Sequence, residues 1–186
     1  MNAADPKDSL SLVITDSGLG GLSICADIVS GLQERRAYRS VSVTYFNAWP
    51  EQGRGYNLLP GMAERIRVFD RALDAMLRFR PDRILIACNT LSALYPETAF
   101  GRKAPVPVTD IIGYGVEQIH AYLTKRADGR VILLGTPTTI EAGTHRSRLI
   151  EKGIDAGRIV CQPCDRLAGA DEVEQCRIVA AEFEVR

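Results

Sequence analysis

The chain has 186 residues, 46% of them hydrophobic, and its 23 basic residues are matched by 23 acidic ones. That length suits one domain or two small lobes with a buried core, and the balanced charge excludes the basic footprint of a nucleic-acid binder. No apolar run approaches the ~20 residues of a membrane span, and Met1 to Ser9 is polar, without the apolar stretch of a signal peptide.

Leu10 to Thr15 has the pattern of a strand. It runs into Asp16-Ser17-Gly18-Leu19-Gly20-Gly21-Leu22, and a helix is expected from about Gly21 to Glu34. A strand, a glycine turn and a helix make the first half of a βαβ unit. Glycines at a helix start let amide groups approach an anion. The spacing is not the dinucleotide pattern, and no Gly-Lys-Ser/Thr follows. Asp16 would repel a phosphate but accept from an ammonium group, while Ser17 and the glycine amides could take a carboxylate. That pairing suits an amino acid. The plainer reading of Asp16 is a capping or turn residue.

Ser40 to Asn47 reads as a second strand, and Ala48 to Pro60 as an irregular loop of the kind that covers a site. Met62, Ile66, Phe69, Leu73 and Met76 repeat at helical spacing, with arginines on the outer face that carry no functional weight. Arg80-Pro81 stops that helix. Ile84 to Thr90 is then a short, buried, parallel-type strand ending in a thiol, an amide and a hydroxyl: Cys88, Asn89 and Thr90. Ligands of open α/β sheets sit beyond such strand ends. A helix starting there would favour a thiolate. Taken alone, Cys88 reads as a small core residue.

Pro105 to Ile112 reads as a strand entering a Gly113-Tyr114-Gly115 turn, followed by a helix from about Val116 to Arg126. Arg130 to Gly135 is a strand ending in Thr136, Pro137, Thr138 and Thr139. A helix from about Ile140 to Lys152, a strand from Arg158 to Pro163 and a helix from Asp171 to Val185 complete the chain. The alternation predicts an α/β fold with mainly parallel sheets flanked by helices. The five cysteines form no disulfide framework, which points to free thiols in a reducing, cytoplasmic setting. Cys161 and Cys164 have metal or redox spacing, but zinc needs four ligands and there is no second pair, so no metal site is expected. Cys25 and Cys161 read as core residues, and Cys176 is uninformative. His145 follows a strand end, so a Cys-His hydrolase stays open.

Three blocks carry a resemblance: Asp16 to Ser23, Ala87 to Ala93 and Leu134 to Thr139. They resemble signature blocks of the glutamate racemases, in the aspartate/glutamate racemase superfamily. Arg54-Gly55-Tyr56-Asn57 falls where that family has Pro-Tyr-Gly, and Val106 to Glu117 resembles the start of its second lobe. The resemblance implies two pseudo-symmetric α/β lobes, 1–107 and 108–186, with the site between them and no cofactor. It implies that glutamate is the small-molecule partner and that its D form supplies peptidoglycan precursors. No nucleic acid or membrane partner is expected, and a homodimer stays open.

In that family two cysteines face opposite sides of the substrate α-carbon. By match, Cys88 is one such base. Asp16 and Ser17 hold the amino-acid head, Tyr56 contacts the ligand, and Asn89, Thr90, Thr138 and Thr139 complete the cradle. A thiolate serves as base if its pKa is lowered, and the developing charge needs preorganised donors. The family's second cysteine lies in a Gly-Cys-Thr-His-Tyr-Pro block, and these residues contain no Cys-Thr pair. The second half is therefore expected to be incomplete, either as a fragment or through loss of one base. Aspartate or hydantoin racemisation, and a pseudo-racemase that binds an acidic amino acid or a protein partner, are the alternatives.

Overall fold

The computed structural model describes residues 7–50 and 55–164. Arg54, Cys176 and the helix expected over Asp171 to Val185 lie outside the described residues. The chain divides into two compact units, 1–111 and 112–186.

The first unit is built on strand β1 (Lys7–Asp16), helix α1 (Leu22–Arg35), strand β2 (Tyr38–Asn47), helix α2 (Gly61–Met76), strand β3 (Arg83–Ile86), helices α3 (Asn89–Leu94) and α4 (Ala99–Lys103), and strand β4 (Val108–Asp110). The strands form one parallel sheet in the order β2-β1-β3-β4. β1 is central, with Val13 opposite Thr44 on one side and Ile84 on the other. Side chains alternate across a strand, so β1 feeds two cores. Val13, Ile84 and Ile86 join Phe69, Leu73 and Met76 of α2 in one cluster. Leu12, Ile14 and Ala87 pack on the opposite face, with Ile24, Cys25 and Ile28 of α1. Burial on both faces explains why β1 and β3 read as nearly continuous apolar runs. Phe69, Leu73 and Met76 are fully buried, and each such side chain contributes about 1.5–3 kcal/mol.

Arg65 departs from the expected outer arginine face of α2. It is half-buried and its Nη2 donates to the Asn57 carbonyl at 2.8 Å.

Helix α5 (Ile111–Thr124) begins at the division between the units, and the second unit then holds β5 (Val131–Gly135), α6 (Pro137–Ala142), α7 (Thr144–Glu151) and β6 (Ile159–Pro163). β5 and β6 pair in parallel, with Ile132 opposite Val160. Arg158 ties the end of α5 to this sheet. Its Nε donates to the Gly129 carbonyl, and its Nη2 donates to the carbonyls of Leu123 and Arg126. The carbonyls of Leu123 and Arg126 also accept the N–H groups of Arg126 and Gly129, so the guanidinium adds a second donor to each at the helix end.

Two sequence expectations are corrected here. The Gly113-Tyr114-Gly115 segment lies inside α5, because neither glycine adopts a left-handed conformation that would break the helix. The helix expected over Ile140 to Lys152 is two helices, since Gly143 at φ +66° ends α6 and starts α7. No helix among the described residues is long and apolar enough to cross a membrane.

Candidate active site

Two neighbouring strands of the first unit end side by side, and the chemistry lies at their ends. β1 closes on Asp16, and Thr15 before it pairs with Ile86, the last residue of β3. The chain leaves β3 through Ala87, whose N–H donates to the Thr15 carbonyl at 2.8 Å. Cys88 follows in an extended conformation, immediately ahead of α3. Ser17 joins the two strand ends: its Oγ lies 3.5 Å from Cys88 Sγ and 3.5 Å from Asp16 Oδ1.

Asp16 is only 7% exposed. Its Oδ1 accepts from the Gly18 N–H at 2.8 Å, and its carbonyl accepts from the Ala48 N–H at 2.8 Å. Burial pushes the carboxyl above its ordinary range, while the amides of Gly18, Gly21 and Ser17 and the Ser17 hydroxyl pull it down. The expectation that glycine amides await a ligand carboxylate is therefore corrected. The amides of Gly18 and Gly21 are turned towards Asp16, and the anion that the glycine turn receives is the chain's own.

Gly21 also has a steric reason. A Cβ there would lie 3.0 Å from both the Ala87 Cβ and Asp16 Oδ2. Only a residue without a side chain lets the start of α1 approach the ends of β1 and β3 this closely.

Cys88 is half-buried and packs against the cluster beneath α2. Burial pushes its thiol above the ordinary range, and the Asp16 charge adds to the shift. The Ser17 hydroxyl and the amides of Leu91 and Ser17 act in the opposite sense without prevailing. The expected thiolate at a helix start is thus corrected. α3 has six residues, and its amides do not outweigh desolvation and a carboxylate next door.

The other expected site residues are distributed as follows. Tyr56 lies in the same core cluster, and its hydroxyl donates to the Arg65 carbonyl at 2.5 Å. Burial pushes its phenol up, Cys88 acts in the same sense and Arg65 against it. With its proton committed, Tyr56 could meet a ligand only as a hydrogen-bond acceptor. Asn89 is exposed at the first residue of α3, and Thr90 is buried beside it. Thr138 and Thr139 belong to the second unit. Both are buried in α6, where the Thr136 side chain accepts from the Thr139 N–H and lies 3.0 Å from Thr139 Oγ1. His145 is half-buried on α7. Cys161 is half-buried on β6, and Cys164 is buried with its thiol 3.9 Å from the Gln162 carbonyl. Among the described residues, no three His, Cys, Asp or Glu side chains cluster to hold a metal.

Sequence reasoning missed Tyr45. Its hydroxyl donates to the Gly18 carbonyl at 2.9 Å. Burial first, and the Asp16 charge next, push it up to about 12. Its signal was a tyrosine close to the end of a strand, and only the order of strands in the sheet places that end beside Asp16.

The chain is similar to glutamate racemases over most of its own length. It is 28% identical over 163 residues to the enzyme of Aquifex pyrophilus, covering 82% of this chain and 55% of that one. It is 30% identical over 148 residues to the enzyme of Campylobacter jejuni, covering 77% and 53%. The chain thus spans about half the length of the curated relatives it matches. Solved structures share its fold. The glutamate racemase of Campylobacter jejuni matches with a TM-score of 0.66 at 24% identity, over 94% of this chain and 66% of that one. The glutamate racemase of Francisella tularensis in complex with D-glutamate matches with a TM-score of 0.65 at 20% identity, over 97% and 58%. An aspartate racemase homologue from Pyrococcus horikoshii matches with a TM-score of 0.56 at 21% identity, over 94% and 70%. No family model matches the chain.

Proposed function

We propose that this chain, similar to the glutamate racemases in sequence and sharing the fold of aspartate and glutamate racemases, binds glutamate at the ends of β1 and β3 and exchanges its α-proton through Cys88. The observation that carries this reading is the Ser17 hydroxyl standing 3.5 Å from both a buried carboxylate and a thiol. An amino acid has an ammonium group next to the carbon that must lose a proton. Asp16 would receive that group. Doing so would offset the charge that helps to hold the Cys88 thiol neutral. The thiol would then release its proton to solvent more readily, so that ionisation is coupled to occupancy.

The thiolate would take the α-hydrogen, forming S–H as Cα–H breaks, and the electron pair would pass into the substrate carboxylate. Asn89 and Thr90, at the start of α3, are the proposed donors to that carboxylate. Return of a solvent-derived proton from sulfur to carbon completes exchange. Similarity to glutamate racemases supports glutamate as substrate and D-glutamate supply to peptidoglycan precursors as the role. The free thiols Cys25, Cys88 and Cys161 support a cytoplasmic location.

Racemisation needs an acid on the other face of the α-carbon, and no Cys-Thr pair occurs in these residues. The 186-residue polypeptide is therefore expected to deuterate one glutamate enantiomer in heavy water without interconverting both. NMR of the α-proton, with each enantiomer supplied separately, reads this directly. The Cys88→Ala variant should lose the exchange. Equal interconversion of the two enantiomers, or exchange surviving in Cys88→Ala, would overturn the assignment.

A further inference from the structure

We infer that Tyr45 is a positioning residue, whose hydroxyl fixes Gly18 so that the Gly18 amide holds Asp16 beside Ser17 and Cys88. This rests on the reading of Asp16 as the group that receives the substrate's ammonium.

Gly18 is held from both sides. Its N–H donates to Asp16 Oδ1 at 2.8 Å, and its carbonyl accepts from Tyr45 Oη at 2.9 Å. It has no side chain, and a Cβ built there would meet only Asp16 Oδ1, at 4.0 Å. Glycine in an open turn samples a wide range of backbone angles. Without an anchor on its carbonyl, the residue can rotate and draw its amide off the carboxylate.

Tyr45 is well placed to be that anchor. It lies on β2, with Ile14 of β1 opposite in register, and packs in the cluster beneath α1. Its ring is thereby held by the sheet while its hydroxyl reaches the turn. Burial and the Asp16 charge keep that hydroxyl protonated through the neutral range, so it remains a donor. From Tyr45 the contacts run through Gly18 and Asp16 to Ser17 and Cys88. They cross from β2 over β1 to the end of β3.

The test is Tyr45→Phe, which keeps the ring and removes only the hydroxyl. The Asp16 carboxyl is followed by carbon NMR across pH, and glutamate exchange is assayed alongside. Loss of an amide bond that favours the ionised form should raise the Asp16 midpoint by about one pH unit. The KM for glutamate should rise several-fold, while kcat changes less. An unchanged Asp16 midpoint in folded Tyr45→Phe overturns the inference. If that variant does not fold, hydrogen exchange at the Gly18 amide of the unsubstituted protein decides. Protection supports the inference, and exchange at the free-peptide rate overturns it. If the unsubstituted protein shows no glutamate exchange at all, the proposed function fails while the Asp16 titration still tests Tyr45.

Discussion

Asp16 holds a charge in a place that resists one. Because burial raises its folded pKa above the ordinary 3.8, the folded state keeps the proton to higher pH than the unfolded chain does. The stabilising contribution is complete below 3.8 and is lost as pH rises through the folded value. Asp16→Asn keeps an oxygen for the Gly18 amide and removes the charge. It should therefore melt with less loss of stability between pH 3.8 and neutrality than the unsubstituted protein. It should also let iodoacetamide reach an ionised Cys88 faster at neutral pH, because the carboxylate that opposes the thiolate is gone. Glutamate binding should weaken. Thermal melts at both pH values and mass-spectrometric alkylation rates check this, and alkylation slower than in the unsubstituted protein would count against the arrangement. That Asp16, Ser17 and Cys88 are polar groups ending apolar runs was legible in the amino-acid order, and the structure brings those two strand ends together. Their pKa behaviour was not legible. It depends on how near two strand ends approach, and no local pattern encodes that distance.

The same approach governs how elements dock. α1 starts against the strand ends because Gly21 has no Cβ to collide with Ala87 and Asp16. Gly20 has more room, its nearest such contact being Asp16 Oδ2 at 3.6 Å. Gly21→Ala is thus expected to lose about 1–3 kcal/mol by overpacking, and to weaken glutamate binding by displacing the carboxylate. Gly20→Ala should be close to neutral in both respects. Denaturant melts and binding titrations separate the two, and equal effects would show that the close packing at Gly21 is not what limits the docking. The order of elements followed readily from alternating apolar runs and turn residues. Glycine was harder to read. Gly113 and Gly115 look like a turn yet sit inside α5, whereas Gly143 looks like a helical residue yet breaks α6 from α7. The deciding variable is backbone angle, left-handed at Gly143 and not at the other two. The short α4 has no periodicity to detect. Its start is held by Thr98, whose hydroxyl accepts from the Gly101 amide, and by Asp70 of α2, which accepts from the Phe100 amide.

Across the whole molecule, the two units differ in how much sheet each can bury. In the first, four parallel strands carry helices on both faces, and Val13, Ile14, Ile84 and Ile86 are inaccessible or nearly so. In the second, the sheet has two strands among the described residues, and the register partners Ile132 and Val160 are 45% and 39% exposed. A two-stranded sheet is marginal in water without a covering layer. Local stability follows buried apolar contact and the shielding of backbone hydrogen bonds. Hydrogen exchange monitored by mass spectrometry should therefore find the slowest amides in peptides spanning β1 and β3, and markedly faster exchange in those spanning β5 and β6. Amides around Asp16 and Ala87, anchored to the central strands, should exchange slowly, and those at the start of α6 near Thr138 faster. If β5 proved as protected as β1, the exposed Ile132 and Val160 would not mark a weak sheet. The rigid part of the molecule would then extend beyond the strand ends that hold Asp16 and Cys88.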